Sequence, residues 1–224
     1  AAQAARRQPA MTLPTTLAGT LIIARHHESE YNKKGLWTGT RDVPLTPYGL
    51  QKSKEMGALI KDLPPDYAFA STLVRTDETL DAMLGVLGIK SESGESNPAL
   101  NERDYGEYTG KDKWEMEKLV GQETFDKIRR EWDYPVPNGE TLKMVYERVV
   151  PFYINTIVPL IKAGHTVLVV SHGNALRALE IYIESIPTLQ AHDLEMLFGT
   201  VVLYKVDEEG KMAAKEVRSV GGEV

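Results

Sequence analysis

The chain has 224 residues and a mass of 25.0 kDa, with 26 basic and 32 acidic side chains and a formal net charge of −6. It contains no cysteine, which excludes thiol catalysis, cysteine-ligated zinc and a disulfide scaffold. Apolar residues at 42% and charged residues at 26% describe an ordinary globular chain, and a pI near 5.5 argues against general nucleic-acid binding. A small cationic pocket for an anionic ligand stays compatible with that balance.

Residues 1–19 read as an appended leader, Ala-rich with Arg6 and Arg7, ahead of or around a native start at Met11. Pro14, Thr15 and Thr16 interrupt the apolar run a signal peptide would need. Residues 20–224 are expected to form one domain. The runs Leu21–Ala24 and Val167–Val170 are strand-sized, far short of the ~18 residues of a membrane helix, so no membrane contact and a cytoplasmic location are expected.

Residues 20–25 predict a strand buried on both faces. Thr46 and Pro47 supply an N-cap and a first-turn proline for a helix to about Lys61, which Pro64 and Pro65 end. Tyr67–Ser71 predicts a second strand, and Leu73, Leu80, Leu84 and Leu87 mark one side of the next helix. Residues 88–111, with Gly, Ser, Asn and Pro, predict a long surface connection of the length that more often carries function. Charged helices are expected over 112–132. Leu142, Val145, Val149, Tyr153, Ile157 and Leu160 predict a helix over 140–162, kinked or broken at Pro151. Thr166–Ser171 predicts a strand, Asn174–Glu184 a helix, and Thr200–Val206 the last strand. This alternation predicts an α/β fold: three layers, with a mostly parallel open sheet between helices on both faces.

Two predicted strands end alike: Arg25-His26 follows the first, and Ser171-His172 the third. Parallel strands of an open sheet bring their carboxyl ends to one edge, where ligands bind. If the two strands are neighbours, both histidines face one crevice. Arg25 adjoins it, Arg75 lies just past the second strand, and His172-Gly173-Asn174 opens a helix whose free amides favour anions. Two arginines, two imidazoles and a helix N-terminus suit phosphate: guanidinium forks grip oxygens while an imidazole attacks phosphorus. His26, His27 and Glu28 diverge on a turn with no second carboxylate at ligand spacing, so no metal is expected.

Arg25-His26-His27-Glu28-Ser29 with Asn32, followed by Trp37-Thr38-Gly39, resembles the signature of the histidine phosphatase superfamily, in particular its phosphoglycerate mutase branch. The resemblance covers about residues 20–206. Leu100-Asn101-Glu102-Arg103-Asp104-Tyr105-Gly106 resembles the segment with the acid–base glutamate, Lys113 and Arg129-Arg130 match substrate-clamping positions, and His172-Gly173-Asn174 matches the second histidine motif. Three departures stand out. His27 replaces the usual glycine, Asp104 stands where many mutases have histidine, and the stretch from Trp132 to Gly139 is shorter than in many members.

The resemblance implies a phosphohistidine at His26, primed by 2,3-bisphosphoglycerate, that interconverts 3- and 2-phosphoglycerate without metal. The substrate is then a small phosphorylated three-carbon acid, and a homodimer or higher homo-oligomer is the family habit. Arg25, Arg75 and His172 would hold the transferred phosphoryl group, and Glu102 would shuttle the hydroxyl proton. Asn32 would hold the imidazole or a phosphate oxygen, and Ser29 would donate to one. Thr38 and Gly39 would bind the substrate carboxylate, while Tyr105, Lys113, Arg129 and Arg130 would hold the far end. Gly173 and Asn174 complete the set. Glu28 reads as structural, Trp114 and Trp132 as packing under lid helices, and His165 and His192 as surface residues. Two other classes stay open: a phosphatase that lets water take the group from His26, or the balance of synthase and phosphatase activities on bisphosphoglycerate. A non-catalytic phospho-ligand module is disfavoured because both histidines and the glutamate are intact.

Overall fold

A computed structural model describes residues 17–90 and 94–221. Most of the expected leader, Met11 included, lies outside the described residues. Its last three residues do not: strand β1 runs Leu17–Arg25, so Leu17, Ala18 and Gly19 belong to the sheet.

The sheet has six strands in the order β3-β2-β4-β1-β5-β6. Besides β1 these are β2 (Tyr67–Ala70), β3 (Gly94–Ser96), β4 (Thr166–Ser171), β5 (Thr200–Asp207) and β6 (Met212–Ser219). The pairs β1–β4, β2–β4 and β2–β3 are parallel, whereas β5 and β6 are antiparallel additions at one side. Strand β6 is missing from the sequence reading. It is an exposed edge carrying Lys215, Glu216 and Arg218, so it shows no apolar run.

The strand pleat divides the core in two. Leu21, Ile23, Val167, Val169 and Phe69 point to one face, packed under helices α6 (Leu142–Phe152), α7 (Val158–Lys162) and α8 (Gly173–Ile183). Ile22, Ala24, Leu168, Val170 and Ala68 point to the other, against α2 (Pro47–Ala58) and α3 (Val74–Leu87). Burial on both faces is what a continuous apolar strand requires. Helix α2 starts as expected, with Thr46 Oγ1 accepting the Gly49 amide at 3.0 Å. Pro151 sits inside α6 and withholds one amide; the helix then widens into a π turn at Tyr153–Ile157 before α7.

The stretch 88–111 departs from its expected surface character. After β3 it turns inward, and Leu100, Glu102 and Arg103 are buried. Beyond it, the short helices α4 (Lys113–Val120) and α5 (Gln122–Arg130) close over the sheet edge around Trp37, Met116, Phe125 and Ile128. Trp132 packs, but on Tyr146 of the main core with ring centroids 5.3 Å apart, not under the lid helices as expected. Trp114 does not, being 61% exposed.

Candidate active site

Strands β1 and β4 are neighbours in register, with Arg25 opposite Ser171, so the next residue on each is a histidine at the same level. The His26 amide donates to the Ser171 carbonyl at 3.0 Å, and the two imidazoles meet with centroids 4.9 Å apart. Both rings are buried.

His26 Nδ1 lies 2.6 Å from the His27 carbonyl. A carbonyl only accepts, so Nδ1 carries the proton and Nε2 keeps its lone pair. Burial, and then the charges of Arg75 and Arg25, hold the His26 pKa well below its ordinary 6.5. The ring is therefore a neutral base, the form in which imidazole attacks phosphorus. His172 is held down by the same burial, by Arg75 and by His26. Its Nε2 is 2.7 Å from Ser71 Oγ, which is 2.6 Å from Thr76 Oγ1, a hydroxyl that in turn donates to the Leu73 carbonyl. This chain fixes the ring from behind and leaves Nδ1 buried without a partner.

A cavity of about 120 Å³ opens in front of His26. Its wall brings together Arg25, Asn32, Thr38, Gly39, Arg75, Glu102, Tyr105, Lys113, Arg129, Arg130, Gly173 and Asn174, from elements far apart in the chain. His172 stands behind His26 and does not line it. Ser29 does not reach it either, which corrects its expected role. It is fully buried as the N-cap of helix α1 (Glu30–Lys33), and its hydroxyl donates to Asn32 Oδ1 at 2.7 Å. That capping box orients Asn32, whose amide nitrogen is left for the cavity. Glu28 is structural as expected, accepting Thr46 Oγ1 at 2.7 Å.

The arginines do two jobs. Arg75 donates to the carbonyls of Gly39 and Arg41, each at 2.9 Å, which holds the Thr38–Arg41 turn against the site. Gly39 has φ of +50°, a conformation that glycine adopts without strain. Burial pushes the Arg75 pKa down to about 10, so it stays charged. Arg25 donates to the Met196 carbonyl at 2.7 Å and lies over the Phe198 ring. Arg25 Nε, Arg75 Nε, His172 Nδ1 and Thr38 Oγ1 are all buried and unpartnered. Buried polar atoms are normally satisfied, and a shared anion such as phosphate would accept from the two guanidinium nitrogens and the hydroxyl; the neutral His172 ring, whose Nε2–H donates to Ser71, would need a proton on Nδ1 to do the same.

Glu102 Oε1 accepts the Arg103 amide at 2.7 Å and both the Asn174 amide and side chain at 3.2 Å. The first turn of α8, expected to be open for anions, thus gives its Asn174 amide to this carboxylate. Asn174 also donates to Tyr105 Oη at 2.9 Å. The Glu102 segment is held by Arg148, which donates to the carbonyls of Ala99, Asn101 and Glu102 while pairing with Glu140. Lys113 is half-buried, and desolvation, then the charges of Arg129 and Arg25, push its pKa down to about 8. Arg129 and Arg130 reach the cavity from the end of α5, and Arg130 also pairs with Glu195 at 3.6 Å.

Sequence reasoning missed Arg177, a buried member of the wall that donates to the carbonyls of Arg129, Arg130 and Ala191. The signal was an arginine inside the apolar run Ala175-Leu176-Arg177-Ala178-Leu179. His165 and His192 are outside the cavity wall. Among the described residues, no three His, Asp or Glu side chains are grouped to hold a metal ion, and no helix is long and apolar enough to cross a membrane.

Known proteins resemble this chain in sequence and in fold. The chain is 38% identical over 203 residues to the 2,3-bisphosphoglycerate-dependent phosphoglycerate mutase of Chelativorans sp. (strain BNC1), covering 90% of this chain and 98% of that protein. Among solved structures it is similar to Bacillus stearothermophilus YhfR, with a TM-score of 0.76 and 26% identity, covering 87% of this chain and 94% of the other. The fold also matches mycobacterial glucosyl-3-phosphoglycerate phosphatase at a TM-score of 0.77 and 17% identity, covering 92% of this chain and all 100% of that one. The sequence model of the histidine phosphatase superfamily (branch 1) matches residues 21–217, and the chain belongs to that superfamily.

Proposed function

We propose that the chain interconverts 3-phosphoglycerate and 2-phosphoglycerate through a phosphohistidine at His26. The observation that carries this reading is the second set of cations. Lys113, Arg129 and Arg130 line the cavity in addition to Arg25 and Arg75, more positive charge than a single phosphate needs. A three-carbon acid bearing two phosphates and a carboxylate matches the charge of such a wall.

The unpartnered buried donors Arg25 Nε, Arg75 Nε and Thr38 Oγ1 also suit 2,3-bisphosphoglycerate, which when bound supplies the phosphoryl group that primes His26. Arg25 and Arg75 would neutralise the equatorial oxygens in transfer, a step that depends mostly on positioning and charge, and His172 would donate to one of them once its Nδ1 takes a proton. Glu102 would take the proton of the attacking hydroxyl and return it to the departing oxygen. Lys113, Arg129 and Arg130 would keep the doubly phosphorylated species bound while its two phosphates exchange places. No step requires a metal, because arginine already supplies the charge. A coupled enolase assay with and without 2,3-bisphosphoglycerate tests the proposal. Isomerisation that depends on it is expected; phosphate release with no isomerisation would make the enzyme a phosphatase.

A further inference from the structure

The peptide between His27 and Glu28 carries the carbonyl that fixes the His26 tautomer, and its other polar end is held as well. The His27 carbonyl accepts from His26 Nδ1 at 2.6 Å, and the Glu28 amide donates to Nδ1 of the His27 ring at 2.8 Å. One peptide plane is thus gripped at both ends, by the His26 ring at its oxygen and by the His27 ring at its nitrogen. Because that amide donates, Nδ1 of His27 holds a lone pair, and the neutral ring has its proton on Nε2. The two neighbouring imidazoles are therefore opposite tautomers joined through a single amide. Donation by the N–H end polarises the amide and strengthens its oxygen as an acceptor.

The His27 ring can do this only while it is fixed and neutral, and its surroundings provide for both. It is buried, with Phe198 at 5.4 Å and 31° and Tyr48 at 5.5 Å and 76°. Burial lowers its pKa from the ordinary 6.5; Glu28 and Glu55 pull the other way, while Lys52 and Arg25 add to the lowering. Downstream, the Glu28 carbonyl accepts the Thr46 amide at 3.0 Å, which ties the same segment to the start of α2. A glycine at position 27 would offer no atom to the Glu28 amide. His27 does not line the catalytic cavity, so its influence on the chemistry passes through His26.

We propose that His27 is a positioning residue: its Nδ1 holds the peptide that keeps the proton on His26 Nδ1 and the lone pair on His26 Nε2. The kinetic consequence rests on His26 as the phosphoryl acceptor; the tautomer does not. An imidazole released from that carbonyl can carry its proton on Nε2 instead, and that nitrogen then has no lone pair with which to attack phosphorus.

The test separates the ring's nitrogen from its bulk. His27→Phe keeps an aromatic ring between Tyr48 and Phe198 but has no acceptor. His27→Asn gives up the ring but keeps an acceptor, Oδ1, at the same place along the side chain. Long-range 1H–15N correlation spectra read the tautomers of the five histidines, with His26 assigned from the His26→Ala spectrum. Single-turnover phosphorylation over a range of 2,3-bisphosphoglycerate concentrations reads the consequence. In His27→Phe the Nε2–H form of His26 should appear. Its maximal phosphorylation rate should fall about 2–12-fold, with half-saturation unchanged within about twofold. His27→Asn should keep the Nδ1–H form and stay within about twofold of the intact protein. His27→Leu, smaller and also without an acceptor, replaces His27→Phe should that variant fail to fold. A His26 tautomer unchanged without the acceptor, or a rate that falls as far in His27→Asn as in His27→Phe, would make His27 a packing residue only. Intact protein that takes up no label removes the phosphohistidine reading, and the tautomer spectra alone then decide the role of His27.

Discussion

His26 and His172 are brought edge to face, 4.9 Å between ring centroids, at the ends of two adjacent parallel strands. Two arginines flank the pair, and both rings have their pKa values held well below 6.5 by burial and that charge. The imidazoles thus wait unprotonated, and an arriving phosphate finds a nucleophile without a proton to lose first.

The two histidines should be unequal under substitution. His26→Ala is expected to abolish both turnover and acid-labile phospho-labelling, because in the proposed mechanism only Nε2 of that ring forms the bond. His172→Ala should lower both strongly without unfolding the chain. Labelling with 32P followed by acid treatment checks this, and an acid-labile label on His26→Ala would refute the nucleophile.

Ser71 acts through His172. Losing its hydroxyl should cost about 0.5–1.5 kcal/mol, or ~2–12-fold in kcat/KM, and free the imidazole to change tautomer. Ser71→Ala should therefore alter the shape of the pH–rate profile. A variant with a lower melting temperature but an unchanged profile would mean the contact is only structural.

Lys113 predicts an alkaline limit. With its pKa pushed down to about 8, the free enzyme loses this cation as pH rises through that value. Affinity for an anionic substrate should then fall, since the charged form is the one that binds. Lys113→Arg keeps its charge and should abolish that limb in kcat/KM; a limb left in place belongs to another group.

The distal arginines separate isomerisation from hydrolysis. Removing one partner of a desolvated charged contact costs on the order of 2–5 kcal/mol, roughly 30-fold to several-thousand-fold. Arg129→Ala should depress isomerisation of 3-phosphoglycerate far more than hydrolysis of small esters. Arg130→Ala should do so less, because Arg130 is partly engaged by Glu195. Parallel losses of the two activities would count against the clamp.

Glu140 ties the catalytic loop to α6. Burial works against its ionisation, yet Arg148 and the Asp104 amide outweigh burial and hold its pKa below the ordinary 4.5. The stabilisation is therefore present above about pH 4.5 and lost as pH falls through the folded-state value. Glu140→Gln should cost about 1.5–3 kcal/mol at pH 7, with the deficit shrinking in acid. Urea melts at pH 7 and pH 4 measure it; an equal deficit at both would assign the effect to packing.

Local residue type determined the strands β1, β2 and β4, because runs buried on both faces must be continuously apolar. It also located His26 and His172, since a parallel sheet sends both strand ends to one edge. Thr46 before Pro47 set the start of α2 by cap chemistry alone. Other features depend on contacts between distant segments, which no local pattern encodes. Glu102 is buried because Arg148 gathers three carbonyls of its loop, and the composition of that loop reads only as surface. Strand β6 is charged and exposed, so only its partner β5 makes it a strand. Ser29 carried the right side chain for phosphate, but folding spent its hydroxyl on Asn32. Arg177 joins the catalytic wall only where several elements converge, and tertiary packing alone decides which side chains share a cavity.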